Sequence, residues 1–251
     1  MRPAYDSIYF DLKDAIDSGL YGYKDYLPSE SVLVKRYRCA HNTVRKALEI
    51  LARDGYVQPI HGKGVRVICR PQKPVAKAGR TYELKDIESF RQSVTRQGFE
   101  ATTKVLSMET MVADEDFANL TGFDEGEKIV HLERVRFVDG KPLVRESNYF
   151  RGDIVQGMTK ADAEYSIYHY IEDVRNEKIV TSKRKVTVEH VNDRDVELLE
   201  LDGADYLAVV VCETFDGAGL LCEASMVRHV PHMFLLRQTA IRTIVSQRLD
   251  A

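Results

Sequence analysis

The chain has no apolar run long enough to cross a bilayer, and its 251 residues include only four cysteines. A membrane-spanning helix needs about 20 consecutive apolar residues, so the sequence does not predict a transmembrane protein. The first residues also lack the basic and then apolar layout of a signal peptide. We therefore expect a soluble, cytoplasmic protein.

The four cysteines and the absence of catalytic signatures narrow the function further. Cys39, Cys69, Cys212 and Cys222 are scattered without the close spacing of metal ligands, and reduced, mostly buried thiols are the expected state. We find neither a Ser-His-Asp signature nor a phosphate-cradling glycine loop. The sequence thus predicts no catalytic residues, no metal site and no cofactor, and it argues against an enzyme.

Charge is distributed unevenly along the chain. The net charge is −3, but residues 31–80 carry +10, whereas residues 1–30 carry −3 and residues 81–251 carry −10. A near-neutral total therefore hides one strongly basic block. Such a block is the electrostatic footprint of a nucleic-acid-binding module.

The centre of the basic block is predicted to be an amphipathic helix. Its apolar residues recur at i, i+3, i+4 and i+7, namely Val44, Ala47, Leu48 and Leu51. Its first turn gathers polar side chains suited to base edges and phosphates: His41, Asn42, Thr43 and Arg45. A helix of this kind can enter a major groove.

The flanking segments complete a winged helix-turn-helix. Ser29 is placed to cap another helix, which precedes the amphipathic one. A short turn at residues 38–40 separates these two helices. Two strand-like runs, residues 56–60 and 65–68, then meet at a tip formed by His61, Gly62, Lys63 and Gly64. Taken singly, an apolar stripe on a helix usually only forms part of a core, and a glycine-bearing tip is usually only a turn. Their coincidence with the basic block favours DNA binding.

The remaining chain predicts a linker and a second domain. An amphipathic first helix, ended by Gly19 and Gly22, should close the core of residues 1–70. Residues 71–82 contain prolines and lysines without periodicity, which is typical of a linker. Residues 83–245 combine strands, two hairpin signals (Asp139-Gly140 and Asp216-Gly217) and short helices. Hairpins imply an antiparallel sheet, so the fold class is α+β.

One strand of the second domain carries two arginines on one face. Arg134 and Arg136 are two residues apart, so both project to the same side of the strand predicted at 129–138. Two guanidinium groups so placed could grip one phosphate. Two arginines on a strand face are nevertheless more often solvated, and the residues alone leave both alternatives open.

Four motifs resemble the DNA-binding domain of the GntR family of transcriptional regulators: residues 27–30, 42–48, 51–56 and 62–64. The resemblance implies that DNA is contacted by the start of the recognition helix and by the wing tip. The residues so identified are Ser29, His41, Asn42, Thr43, Arg45, Lys46, His61, Gly62 and Lys63. The chain departs from the commonest family pattern at Ser31, where many members carry arginine or glutamate, and at His41, where many carry arginine. Because arginine is the usual reader of guanine, His41 means that the base preference need not be the family's.

The second domain resembles the UTRA effector-binding domain of the HutC subfamily, whose fold is that of chorismate lyase. The resemblance implies a phosphate site at Ser89, Arg134 and Arg136, with Phe90 beside them. It also implies contacts with a sugar by Glu146, Ser166, Tyr168, Glu223, Arg228 and His229. Because that fold is shared with a lyase, an enzyme stays as a minor alternative.

Within this family, residues 103–107, 139–143, 166–172 and 182–191 are most similar to trehalose operon repressors. Residues 226–236 depart from that group. The resemblance implies a homodimeric repressor that binds a near-palindromic operator and is released by trehalose 6-phosphate. A regulator of the same family that responds to a different phosphorylated sugar, such as glucosamine 6-phosphate, is the alternative.

Overall fold

The structure is a computed structural model that describes residues 4–70, 82–84, 87–236 and 238–240. The chain divides into two compact units, residues 1–77 together with 238–251 and residues 78–237. Most of the expected linker, residues 71–81, lies outside the described residues, as does the expected second domain beyond residue 240. Within the described ranges no helix is long and apolar enough to cross a membrane.

Three helices form the core of the first unit. They are α1 (Ala4–Asp17), α2 (Glu30–Tyr37) and α3 (His41–Arg53). The predicted stripe of α3 is buried and packs with apolar residues of the other two helices, among them Leu12 and Leu33, both fully buried. The amphipathic period therefore places the polar start of α3 at the surface.

The start of α2 corrects one detail of the sequence analysis. Ser29 occupies the N-cap position, but its side chain makes no capping hydrogen bond. The backbone carbonyl of Ser29 accepts instead from the amides of Val32 and Leu33, at 2.9 and 3.0 Å. The N-cap position of Ser29 therefore did not make its hydroxyl group a cap. That hydroxyl group is exposed.

The wing is a two-stranded antiparallel sheet. Strands β1 (Val57–Ile60) and β2 (Gly64–Val67) pair along their whole length. Gly62 and Gly64 have φ values of +71° and +102°, which side chains larger than glycine rarely adopt. The glycines of the tip therefore permit the tight reversal that holds His61 and Lys63 out in solvent.

The second unit contains a six-stranded antiparallel sheet with the order β4-β5-β6-β9-β8-β7. Its strands are β4 (Ala101–Val112), β5 (Lys128–Val138), β6 (Lys141–Arg151), β7 (Ile179–His190), β8 (Tyr206–Asp216) and β9 (Leu221–His229). Two further strands, β3 (Tyr82–Leu84) and β10 (Phe234–Leu236), pair in parallel. The mixture of this sheet with short helices confirms the α+β class.

The helices of this unit are short and capped by side chains. They are α4 (Phe90–Arg96), α5 (Glu115–Thr121), α6 (Lys160–Tyr165), α7 (Ile167–His169) and α8 (Asp193–Leu198), and a π-helical turn, Tyr170–Val174, follows α7. Ser89 and Gln92 form a reciprocal capping box, which starts α4 at Phe90. The helix α6 was not predicted.

Candidate functional site: a DNA-reading surface and a buried effector cavity

The residues expected to contact DNA lie on the surface of the first unit. His41 and Asn42 are exposed in the first turn of α3, as are Arg45 and Lys46, while Thr43 is half-buried. His61, Gly62 and Lys63 are exposed at the tip of the wing. The N-terminal turn of α3 and the tip of the wing therefore present their polar groups to solvent, and the core does not need to rearrange.

Arg45 is oriented by an ion pair within the first unit. Its Nε donates to Oε2 of Glu30 at 2.9 Å, and both side chains are substantially exposed. An exposed ion pair contributes little stability, about 0.2–1 kcal/mol. Glu30 therefore positions the guanidinium group at low cost and can release it to a base or a phosphate.

The second unit contains a cavity on one face of the six-stranded sheet. The space within it amounts to about 860 Å³, part of which is open to solvent. The lining includes nine of the ten expected effector residues: Ser89, Phe90, Arg134, Arg136, Glu146, Ser166, Tyr168, Glu223 and His229. Distant segments of the sequence are thus brought to one place.

Arg134 is buried at the base of this cavity and is fully bonded. Its Nη2 lies 2.7 Å from Oε2 of Glu146, and its Nε and Nη2 donate to Oδ1 of Asn148 at 3.3 and 3.0 Å. Its Nη1 donates to the carbonyl of Ala163 at 3.2 Å. Burial lowers the pKa of Arg134 to about 10, so the group still carries its charge at neutral pH.

Arg136 lies closer to the mouth of the cavity. Its Nε is 2.6 Å from Oε1 of Glu146, and its Nη1 donates to Oγ1 of Thr103 at 3.3 Å. The guanidinium group also lies 4.7 Å from the ring centre of Phe90, in cation–π contact. Phe90 therefore covers one face of the Arg136 guanidinium group, and the edge of that group is turned to Glu146 and Thr103.

Glu146 is the counter-ion of both arginines. Burial by itself would raise the pKa of this carboxyl group, but Arg136 and Arg134 outweigh burial and hold the pKa below its usual value. One carboxylate thus offsets two guanidinium groups. This end of the cavity keeps an excess positive charge that suits an anion.

The pKa of a second buried carboxyl group, that of Glu223, is shifted in the opposite direction. Its Oε1 accepts from Nδ2 of Asn148 at 2.9 Å and its Oε2 accepts from the hydroxyl group of Tyr168 at 2.7 Å. Burial raises the pKa of Glu223, in spite of these donors, and burial also raises the pKa of Tyr168. Asn148, which links Glu223 to Arg134, was not predicted, although its alternation with Glu146 on β6 could have indicated it.

The other expected cavity residues combine structural and ligand-facing positions. The hydroxyl oxygens of Ser89 and Ser166 accept from backbone amides, at 3.2 Å each, and so cap α4 and α7. His229 is 3% exposed, and burial lowers its pKa to about 3, so the imidazole is neutral. Its ring lies 4.6 Å from that of Phe234, centre to centre.

Arg228 does not lie with the other expected effector residues. On β9 the residues Glu223, Ser225, Val227 and His229 line the cavity, so the intervening residue Arg228 faces the opposite side of the sheet. There its Nε lies 3.1 and 3.0 Å from the two oxygens of Asp195, and its Nη1 is 2.6 Å from Oε2 of Glu189. The expected effector contact by Arg228 is therefore replaced by a buried ion pair.

Several lining residues were missed by the sequence analysis. They are contributed by α4, the end of α6 and strands β7 to β9, and include Arg91, Tyr165, Ser182, Arg184, Cys212 and Ser225. Arg91 lies 4.9 Å above the ring of Tyr165 and so links α4 to α6. Strand alternation could have indicated that Ser182 and Arg184 share a face, but only the sheet order brings β7 to the cavity.

Both units match known domain families. Residues 4–67 match bacterial regulatory proteins of the gntR family, and residues 96–234 match the UTRA domain. The HTH-type transcriptional regulator TreR of Bacillus subtilis (strain 168) is 32% identical over 204 residues, covering 81% of this chain and 83% of TreR.

The solved structures similar to this one include two from Bacillus subtilis. The transcriptional regulator YydK of Bacillus subtilis has a TM-score of 0.72 at 21% identity, covering 95% of this chain and 99% of that chain, which shows a shared fold. The effector-binding domain of the B. subtilis trehalose repressor TreR has a TM-score of 0.51 at 27% identity and covers 57% of this chain and 99% of that chain.

The two matched domains and these relatives are those of transcriptional regulators rather than enzymes. The exposed polar turn of α3 and the glycine-tipped wing are the DNA-reading parts such a protein needs. The chain therefore belongs to the GntR family, as a DNA-binding transcriptional regulator with a UTRA domain of the HutC type.

Proposed function

We propose that this regulator is a cytoplasmic, homodimeric repressor of a trehalose-utilisation operon, and that trehalose 6-phosphate releases it from DNA. In the dimer the two α3 helices would meet half-sites about one helical turn apart. The DNA contacts would come from Ser29, from the start of α3 and from the wing tip. The effector would occupy the cavity of the second unit.

The observation that carries the proposal is the pair Arg134 and Arg136 at one end of the cavity, with a single carboxylate between them. A phosphate monoester brings about −1.5 to −2 charges and three acceptor oxygens. Arginine forks match this geometry, and their charge-assisted bonds are roughly twice as strong as neutral ones. Ser89 lines the same cavity, and its hydroxyl group, which here donates to Oε1 of Gln92 at 3.0 Å, would turn to the phosphate.

The sugar would be read by the polar groups beyond the phosphate end. Carboxylates accept hydrogen bonds from sugar hydroxyl groups, and Glu146 and Glu223 are both buried in the cavity wall. Ser166, Tyr168 and His229 would contribute further donors or acceptors. A site built to bond hydroxyl groups rejects ligands that lack them, because its buried polar groups would be left unpaired.

The similarity to TreR supports trehalose 6-phosphate over other sugar phosphates. The two buried carboxylates favour one alternative, an amino sugar phosphate such as glucosamine 6-phosphate, whose ammonium group would pair with either of them. Measuring the affinity for operator DNA in the presence of each ligand would distinguish these two candidates.

Isothermal titration of the full chain with trehalose 6-phosphate, free trehalose and glucosamine 6-phosphate tests the proposal. Trehalose 6-phosphate should bind most tightly and free trehalose poorly, since the phosphate bonds would be lost. Arg136→Ala should abolish binding, while Lys104→Ala, which removes an exposed cation from the neighbouring strand β4, should not change it. Equal affinity for trehalose and its phosphate would contradict a phosphate site. Tighter binding of glucosamine 6-phosphate would select the alternative.

A further inference from the structure

The cavity extends beyond the residues assigned to the phosphate and the first sugar ring. On β7 and β8 it is lined by Ser182, Arg184, Val210 and Cys212, which we call the distal subsite. We propose that the distal subsite binds the second ring of a phosphorylated disaccharide and that Arg184 determines the preference for a disaccharide over a monosaccharide. This inference rests on the proposed function and names the specificity of the same cavity.

The strand register places Arg184 far from the phosphate end. Asn148, which is bonded to Arg134, pairs with Ser225, Ser225 pairs with Cys212, and Cys212 pairs with Arg184. Arg184 is therefore three strand spacings from Asn148, about 14 Å on a flat sheet. Curvature of the sheet and the length of the arginine side chain shorten the gap that a ligand must cross. One ring next to the phosphate would still leave the distal subsite empty.

The lining of the distal subsite suits a sugar ring. Ser182 supplies a hydroxyl group, whose oxygen accepts from Oγ1 of Thr214 at 3.3 Å, and half-buried Arg184 supplies several N–H donors. Val210, which is 1% exposed, gives an apolar patch beside them. A pyranose presents hydroxyl groups at its edge and C–H groups on its face. Polar and apolar lining residues would each have a partner on such a ring.

Charges of both signs act on the distal subsite. Burial and the charge of Glu223 raise the pKa of the Cys212 thiol, whereas the charge of Arg184 lowers it. The resulting pKa is about 11. Cys212 is therefore an uncharged group at neutral pH. Glu223 and Arg184 act on this thiol with opposite signs, and Glu223 also interacts with Arg134 at the other end of the cavity.

The test compares trehalose 6-phosphate with glucose 6-phosphate by isothermal titration of the full-length protein. Arg184→Ala should weaken binding of the disaccharide phosphate about 10- to 100-fold, as expected for loss of a charge-assisted bond, and should leave glucose 6-phosphate within about twofold. Lys183→Ala is the matched control. Lys183 is the adjacent residue of β7, its exposed side chain pairs with Glu213 at 3.4 Å, and its loss should change neither affinity.

A second variant does not depend on Arg184. Cys212→Leu adds bulk within the distal subsite, so it should exclude the second ring and weaken trehalose 6-phosphate binding by at least about 10-fold. Because Cys212 also lies near Glu223, glucose 6-phosphate binding should weaken as well, but by a smaller factor. Thermal unfolding of each variant shows whether it is folded. If Arg184→Ala does not fold, Cys212→Leu decides the question alone.

The outcomes separate this inference from the proposed function. A parent protein that binds neither sugar phosphate would contradict the proposed effector class. A parent that binds both, with variants that lose both ligands equally or lose neither, would overturn the distal subsite and leave the phosphate site standing. Selective loss of the disaccharide phosphate in either variant supports the inference.

Discussion

Nε of Arg136 lies 2.6 Å from Oε1 of Glu146, and the other oxygen of the same carboxylate lies 2.7 Å from Nη2 of Arg134. One buried side chain therefore occupies a position between the two guanidinium groups where an external anion would also be favoured. The protein holds its own counter-charge in the cavity. A phosphate would have to share the arginines with Glu146 or displace it from one of them.

This arrangement predicts the behaviour of Glu146→Gln. Removing one partner of a buried ion pair costs roughly 3–5 kcal/mol of the free energy of unfolding, because the two arginines then repel each other without compensation. Inorganic phosphate should restore part of that loss by binding between them. Thermal unfolding with and without phosphate measures both effects, and Glu213→Gln, an exposed carboxylate on β8, is the control. Equal stabilisation of parent and variant by phosphate would contradict the prediction.

Arg228→Met should act on stability and not on effector binding. The substitution leaves Asp195, which is 0% exposed, without its main buried counter-ion, so the free energy of unfolding should fall by roughly 3–5 kcal/mol. Affinity for trehalose 6-phosphate should stay within about twofold, because Arg228 faces away from the cavity. Denaturant unfolding and titration calorimetry give the two numbers. A large loss of affinity at unchanged stability would place Arg228 in the effector site after all.

His229 predicts a loss of stability in mild acid. Its pKa falls from 6.5 to about 3 on folding, so between these values the unfolded chain binds more protons and the stability contribution of neutral His229 is lost as pH falls. Between pH 7 and pH 5 this loss is roughly 2 kcal/mol. Denaturant unfolding at both pH values should therefore show a smaller pH effect in His229→Asn than in the parent. The shift of Glu223 is common to both proteins and cancels in the comparison.

Two substitutions distinguish base reading from phosphate contact in the first unit. Arg45→Ala should weaken operator binding by about 10- to 100-fold, while Arg53→Ala, at the other end of α3, should have little effect. Lys63→Ala should weaken binding to all sequences and reduce the slope of log affinity against log salt by about one. Fluorescence anisotropy over a salt series measures both. An unchanged slope would exclude Lys63 from the phosphate contacts.

Effector and operator binding should be coupled reciprocally. If the effector favours a placement of the two reading heads that no longer matches the half-sites, a typical coupling of about 1–3 kcal/mol would weaken operator affinity about 5- to 150-fold. Linkage requires operator DNA to weaken effector binding by the same factor. Titrating trehalose 6-phosphate with and without operator DNA measures that factor. Identical affinities would show that the cavity does not control DNA binding.

Much of the local structure could be predicted because it depends on neighbouring residues. The four apolar residues of α3 define its buried side, and Asp139 and Gly140, with φ values of +48° and +80°, form the predicted turn between β5 and β6. The two-residue period of a strand likewise put Arg134 and Arg136 on one face. That same period argues against Arg228 beside His229, since adjacent strand residues face opposite sides.

Local sequence patterns were enough to predict most of the strands, the basic reading head and the pair of arginines, because helix and strand periods and turn residues act over a few positions. The surroundings of the two arginines could be seen only in the folded protein. The sheet order sets β6, β9, β8 and β7 side by side, and this order brings Glu146, Glu223 and Arg184 to one cavity across nearly 80 residues of sequence. Such contacts depend on which strands pair, and pairing is settled by burial and packing of the whole sheet.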